Sequence, residues 1–150
     1  MKALLSLLIG LTVVLSSCKE KEEPNEPYVP FADQIHGTWK VVASIDNDTE
    51  ATVNYPESIT ESFFTFHKNS ELEFNLVCNA GKADRVIVSE SGSLLLDGIL
   101  TTNVICPPNL AATWNNVIKN TVENANHVYV SGTSMTLRGV DDFSLKLKKQ

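Results

Sequence analysis

The chain has 150 residues, of which 43% are hydrophobic, and it carries a formal net charge of −6. Its length is that of one domain with short additional segments. Because an acidic chain of this kind repels the phosphate backbone, nucleic acid is excluded from the expected partners.

The first 17 residues predict a signal peptide. Lys2 supplies a positive charge, and residues 3–15 form one apolar run. That run is shorter than the roughly 20 residues of a membrane-spanning helix but has the length of a signal-peptide core. The following "LSSC" resembles the bacterial lipobox, so Cys18 is expected to be lipidated and to anchor the chain in a membrane. The alternative is an ordinary secretory signal with an incidental cysteine.

Residues 18–34 predict an acidic flexible tether. The sequence "KEKEEPNEP" is nearly devoid of apolar residues, so it cannot form a core. Lys19 stands where an aspartate would resemble the signal for retention in the inner membrane. We therefore expect an outer-membrane lipoprotein of the cell envelope, on the periplasmic face or at the cell surface. The lysine-then-acid pattern resembles a surface-export signal of some Gram-negative lineages, or it is a plain spacer.

Residues 35–150 predict one globular domain of mainly β structure (α+β). Alternating apolar and polar residues indicate strands. The predicted strands are 38–45, 61–67, 71–78, 85–89, 94–97, 99–106, 127–132, 134–139 and 143–149. The period changes once, after Asn109, which is a candidate N-cap for a helix through residue 122 with one apolar stripe. The sequence therefore predicts a curved antiparallel sheet or open barrel of about 8–9 short strands with one packed helix near 109–122.

Two cysteines remain once Cys18 is assigned to the lipid. Strand alternation places Cys78 on the same face as Leu76, and Cys106 on the same face as Val104. In an oxidising compartment such a pair is expected to form a disulfide. Closing a loop of about 28 residues would contribute about 3–4 kcal/mol to stability. The alternative is a pair of buried free thiols.

Other chemistry finds little support in the sequence. Residues 46–57 have part of the spacing of a calcium loop, but Ala51 stands where the sharp turn requires glycine, so a solvated acidic loop is expected. The three histidines (His36, His67 and His127) are scattered, so no metal site is predicted. No serine has a histidine and a carboxylate at a recognisable spacing. We expect no enzyme activity, no catalytic residue and no cofactor, and we expect Trp114 to be a core residue.

The order of landmarks resembles one known family. These landmarks are "GTWKVV", "CN" at 78–79, "T-x-x-x-C-P" from Thr102 to Pro107, an amphipathic helix, "VYVSGTSMTL" and "FSLKLKK". They resemble the META domain (HslJ-like) family over roughly residues 35–149. The resemblance implies that Cys78, Asn79, Thr102, Cys106 and Pro107 form the family motif. It also implies a curved sheet with one helix and a loose tie to stress tolerance and envelope integrity, but little chemistry. We expect a non-catalytic, monomeric domain that binds or scaffolds an envelope protein.

A second resemblance competes with the first. Residues Gly37, Thr38 and Trp39 are similar to the motif that opens the first strand of lipocalin-like barrels. That resemblance implies a carrier of a small apolar ligand with an open apolar interior. Lipocalins place their helix after eight strands, whereas here about six strands are predicted before the helix and about three after it.

Overall fold

The computed structural model describes residues 31–150. The predicted signal peptide, Cys18 and most of the predicted tether lie outside the described residues. Helix α1 (Phe31–Ile35) occupies the end of the segment 18–34, and Ile35 is buried. Within residues 31–150, neither helix has the length and apolar character needed to cross a bilayer.

Eleven strands and a second helix follow α1 in the described part of the chain. In chain order they are β1 (Gly37–Asp46), β2 (Thr52–Asn54), β3 (Phe63–Phe66), β4 (Leu72–Asn75), β5 (Ala80–Ala83), β6 (Arg85–Val88), β7 (Leu94–Asp97), β8 (Leu100–Thr101), α2 (Leu110–Glu123), β9 (Ala125–Ser131), β10 (Ser134–Gly139) and β11 (Phe143–Lys149).

Eight of these strands form one curled antiparallel sheet in the order β8-β5-β4-β3-β1-β11-β10-β9. Strand β2 pairs with β1, and β6 and β7 form a separate hairpin. The hairpin is hydrogen-bonded to β9, at one end of the sheet, and to the turn between β3 and β4. The N–H of Val128 donates to the carbonyl of Gly92 at 2.8 Å, and the N–H of Val86 donates to the carbonyl of Ser70 at 2.7 Å. The predicted fold class, a curved antiparallel sheet with one packed helix, is confirmed.

The core lies inside the curl because alternate residues of each strand point inward. In β10 and β11, Leu137 and Leu145 face each other in register and are fully buried. The outward positions of the same strands hold polar residues such as Thr136 and Lys146. The large fully buried side chains come from both halves of the sheet, from the helix and from the residue after β4: Trp39, Val41, Phe64, Leu72, Leu76, Ile118, Val122, Val128, Met135, Leu137, Leu145 and Leu147.

Helix α2 covers one side of this core. Its predicted N-cap is confirmed, since Oδ1 of Asn109 accepts a hydrogen bond from the N–H of Ala111 at 2.9 Å. Its apolar stripe buries Trp114, Ile118 and Val122, so the expectation that Trp114 is a core residue is confirmed. The Trp114 ring also meets the Tyr55 ring edge-on, with 4.8 Å between centroids. Helix and sheet side chains together form this core.

Five elements differ from the sequence prediction. Helix α1, strand β2 and strand β5 were not predicted, so eight strands precede α2 where six were expected. Strand β4 ends at Asn75, which leaves Cys78 half-buried in a turn and not on an inward strand face. The predicted strand 99–106 pairs only at Leu100 and Thr101, and Val104 is 59% exposed.

The acidic loop after β1 is ordered by its own side chains. Oδ1 of Asp46 accepts hydrogen bonds from the N–H groups of Thr49 (2.8 Å) and Asp48 (3.1 Å). These bonds, with that of Thr49 the strongest cause, lower the pKa of Asp46 below its usual value. The segment 46–57 is therefore a self-capped turn followed by the short strand β2.

Candidate functional site

A disulfide joins the turn after β4 to the segment that leads into α2. Cys78 and Cys106 are bonded, their Cα atoms lie 5.7 Å apart, and they are 28 residues apart in the sequence. Both cysteines are half-buried. The bond therefore fixes the β4–β5 turn against the irregular stretch between β8 and α2, which has little regular structure of its own.

The side-chain amide of Asn79 extends this connection, because it forms the hydrogen bonds that the backbone of a neighbouring strand would form. Its Oδ1 accepts hydrogen bonds from the N–H of Val104 (2.7 Å) and from Oγ1 of Thr102 (3.0 Å). Its Nδ2 donates to the carbonyl of Val104 at 3.1 Å. An amide offers the same donor and acceptor as a peptide group, so it pairs with Val104 beyond the point where β8 ends. The hydroxyl of Thr102 accepts in turn from the N–H of Ala80 at 3.0 Å.

Helix α2 contacts this cluster through one residue that the sequence reading missed. Asn115 is 4% exposed, and its Oδ1 accepts hydrogen bonds from the N–H of Cys78 (3.2 Å) and from Nδ2 of Asn79 (3.3 Å). A buried amide is stable only when it is hydrogen-bonded. The sequence did contain a sign of this buried amide. Asn115 is a polar residue next to Trp114 and three residues before Ile118, on the apolar side of the helix.

Four of the five motif residues are thus brought together, namely Cys78, Asn79, Thr102 and Cys106. Pro107 is exposed, and its carbonyl accepts a hydrogen bond from the N–H of Asn109 at 2.8 Å. Its place is the turn that starts the helix and not the hydrogen-bonded cluster. The motif as a whole is a structural connection between the sheet end and α2.

A groove of about 630 Å³ lies beside this connection, on the outer face of β3, β4, β5 and β8. The outward side chains that line it include Phe63, Thr65, Glu73, Ala80, Lys82 and Leu100. Leu100 is 58% exposed. Nζ of Lys82 donates to Asp84 at 2.7 Å, and this bond raises the pKa of Lys82. The groove is therefore largely apolar, with one charged side at Glu73 and Lys82.

Gly81 lets β5 and β8 approach closely in the floor of the groove. A Cβ at this position would overlap the Phe74 ring and would lie 2.8 Å from the carbonyl oxygen of Leu100. Any side chain here would push the ring or the edge strand away. The groove and the position of β8 both depend on this glycine.

The outer edge of β8 is open to pairing. The N–H of Thr102 donates to the carbonyl of Ala80 at 2.9 Å, so Thr102 and Ala80 form a hydrogen-bonded pair of the antiparallel ladder. Hydrogen-bonded and non-hydrogen-bonded pairs alternate along an antiparallel ladder, so the next pair, Thr101 with Gly81, is not hydrogen-bonded. Thr101 therefore directs its N–H and C=O away from β5. Strand β8 is the last in the sheet, and within residues 31–150 no strand pairs with that edge.

The titratable side chains of the described residues are spread over the domain. His36 lies 3.5 Å from Asp33, and His67 lies 3.4 Å from Glu73. His127 contacts the carbonyl of Ser91 at 3.0 Å. Within residues 31–150, no three side chains of the histidine, cysteine, aspartate and glutamate types are grouped so as to hold a metal ion.

Comparison with known proteins identifies a family and several related folds. The family model described as META domain matches residues 32–150. No curated protein matches the chain.

Three solved structures share the fold. A protein from Burkholderia xenovorans, solved by NMR, is 14% identical with a TM-score of 0.60, over 83% of this chain and 90% of that one. A DUF4847 family protein from Bacteroides vulgatus is 14% identical with a TM-score of 0.54, over 76% and 92%. A further NMR structure is 18% identical with a TM-score of 0.58, over 78% and 92%. At these identities the likeness shows the fold alone.

Proposed function

The chain belongs to the META domain family, and on that premise we propose that it is a lipid-anchored envelope lipoprotein whose META domain binds a partner without catalysis. The anchor is the diacylated Cys18, and residues 19–30 connect it to the domain. The binding site is the groove beside β8, and the partner is an extended segment of another envelope protein.

One observation carries the binding proposal, namely the open edge of β8 beside an apolar groove. An extended segment that enters there pairs with the N–H and C=O of Thr101. It lays its alternate side chains against Leu100 and Phe63. Strand addition of this kind obtains affinity from backbone hydrogen bonds and specificity from the pockets that receive side chains.

The connection around the disulfide supports this proposal because it holds the edge strand in place. Strand β8 contains only two residues, and a strand this short has little stability alone. The Cys78–Cys106 bond and the hydrogen bonds from the Asn79 side chain to Thr102 and Val104, which we call the Asn79 clamp, fix its continuation. A preformed edge binds more tightly than one that must order on binding, since less conformational entropy is lost.

No observation favours the lipocalin-like carrier as a second function. That function needs an apolar cavity inside the curl, and the described interior is occupied by core side chains such as Trp39, Ile118 and Leu145. The groove lies on the outer face of the sheet.

The edge is tested by replacing Thr101 with proline, which removes the outward N–H. Proline is tolerated on edge strands where the lost N–H faces solvent, so stability should change by less than about 1 kcal/mol. The probe is a phage-displayed library of nine-residue peptides, selected against the detergent-solubilised full chain. Peptides enriched on the wild-type chain should bind the Thr101→Pro chain at least tenfold more weakly.

Thr101→Ala is the matched control, because it shortens the side chain and keeps the N–H. Selected peptides should bind this variant within about twofold of wild type. Equal binding to the proline variant would contradict pairing at β8, as would a selection that enriches no peptide.

A further inference from the structure

Four lysines lie on β1 and β11, which are the first and last strands in the chain and are neighbours in the sheet. The N–H of Gln150 donates to the carbonyl of Thr38 at 3.0 Å, so the end of β11 lies beside the start of β1. In the register of these strands, Lys149 pairs with Trp39 and Lys148 pairs with Lys40. Lys146 lies two residues before Lys148 on β11, on the same outer face of the sheet, whereas Lys149 extends from the opposite face, beside Trp39 at the end of the strand. We call Lys40, Lys146, Lys148 and Lys149 the basic end.

The basic end is unusual because the domain is acidic. Residues 31–150 hold 14 aspartates and glutamates against nine lysines and arginines, and four of those nine are in the basic end. Lys40 and Lys148 face each other directly, an arrangement that costs stability when both are charged. The local charge is therefore opposite in sign to that of the whole domain.

Only one of the four lysines has a carboxylate partner among the described residues. Lys40 forms an ion pair with Glu61. Lys146 donates to Oγ1 of Thr52 at 3.5 Å, and Lys149 lies over the Trp39 ring, 5.1 Å from its centroid. Lys148 makes no ion pair within residues 31–150. Asp46 and Glu50 line a cleft with Lys146, so the uncompensated charge is centred on Lys148 and Lys149.

The chain outside the described residues joins the domain at this same end. One residue, His36, separates helix α1 from β1, and Lys40 is the fourth residue of β1. Residues 19–30 number twelve, and twelve extended residues span at most about 43 Å. A lipid on Cys18 would thus hold Phe31, the start of α1, within that distance of the headgroups, which keeps the basic end at an effective concentration in the millimolar range.

We propose that the basic end binds the phosphate groups of anionic lipid headgroups in the membrane that holds the Cys18 acyl chains. This proposal rests on the lipid anchoring proposed above. The contact orients the domain, with the start of β1 and the end of β11 toward the membrane. A lysine close to an anionic surface strengthens binding about fivefold, so several together matter once the anchor supplies proximity.

Amine-labelling rates test this docking in the full lipidated chain. The chain is reconstituted in vesicles of phosphatidylcholine alone or mixed with phosphatidylglycerol, and it is treated with a membrane-impermeant succinimidyl ester. Mass spectrometry of peptides gives a rate for each lysine. Lys148 and Lys149 should react at least fivefold more slowly in the anionic vesicles, and high salt should remove the difference because it screens the charges.

Lys82 and Lys119 are the internal controls, since they lie on β5 and α2, outside the basic end, and each forms an ion pair with a carboxylate. Their rates should be equal in the two kinds of vesicle. A matched pair of variants adds a second measurement. Lys146→Gln/Lys148→Gln should abolish the protection of Lys149, whereas Lys82→Gln/Lys119→Gln should leave it unchanged.

Other results would overturn the proposal and identify the reason. If Lys148 reacts at the same rate in both kinds of vesicle, headgroup binding is excluded. If that common rate is also slower than the rates of Lys82 and Lys119, the acidic residues 20–26 of the chain itself are the occupant. Protection by inorganic phosphate in phosphatidylcholine vesicles would assign the site to free phosphate. A chain that floats with neither vesicle would overturn the anchor itself, and that failure is seen before any labelling.

Discussion

Removing the Cys78–Cys106 disulfide should lower the free energy of unfolding by about 3–4 kcal/mol. The bond closes a loop of 28 residues that contains β5 to β8, so its loss frees a large part of the unfolded chain. The double variant Cys78→Ala/Cys106→Ala should show this loss in equilibrium urea unfolding. In hydrogen exchange, the amides near Thr102 and at the start of α2 should lose protection first, because they lie next to the bond.

The matched control is the wild-type chain under reducing conditions, which should unfold at the same urea concentration as the double variant. Both measurements are made in the Cys18→Ala background, so that the pair is the only source of thiol chemistry. A loss below about 1 kcal/mol would contradict the role assigned to this bond. So would a folded, unreduced chain in which both thiols can be alkylated.

Replacing Trp39 with alanine should cost about 3–5 kcal/mol, the range for a fully buried large aromatic residue. The Trp39 side chain is fully buried, and its Nε1 donates to the carbonyl of Ile35 at 2.7 Å. The ring therefore fills the core and also attaches α1 to the sheet. Thermal and urea unfolding followed by circular dichroism would measure the loss.

Trp39→Phe separates the two contributions and keeps the measurement informative if the alanine variant does not fold. It keeps one six-membered ring of the indole's two fused rings but removes the donor to the Ile35 carbonyl, which should cost about 1–3 kcal/mol. Leu95→Ala, at a position 53% exposed, is the control and should change stability by less than about 0.5 kcal/mol. A Trp39→Ala chain as stable as this control would show that the described core packing is wrong.

The elements that the sequence predicted well are those whose side chains decide the structure locally. Strands β10 and β11 have the predicted bounds, because Met135, Leu137, Leu145 and Leu147 alternate with polar residues over their whole length. Helix α2 begins within a residue of its prediction, because Asn109 is a strong cap and the apolar period changes there.

The missed elements are those that exist only through their neighbours. Strand β5 reads "AGKA", which has no β-branched residue, and it becomes a strand because β4 and β8 pair with its two sides. Strand β2 is exposed along its whole length and is held by β1. Pairing with a neighbouring strand cannot be predicted from the alternation of residues within one segment.

The candidate site was predictable in part. Cysteine counting and the compartment predicted the Cys78–Cys106 pair, but strand alternation gave the wrong surroundings for Cys78, since a turn intervenes after Asn75. The exposure of Val104 follows from the Asn79 clamp, a side-chain contact across 25 residues that no local pattern encodes. The basic end likewise depends on the register between β1 and β11, which sequence alternation does not determine.

The most direct test of the proposed function is metabolic labelling with palmitate, followed by fractionation of the cells. The wild-type chain should carry the label and sediment with the membranes. The Cys18→Ala chain should lose the label and the membrane association, while its Cys78–Cys106 disulfide still forms. An unlabelled wild-type chain in the soluble fraction would contradict a lipid-anchored binding protein, as would label that persists after Cys18→Ala.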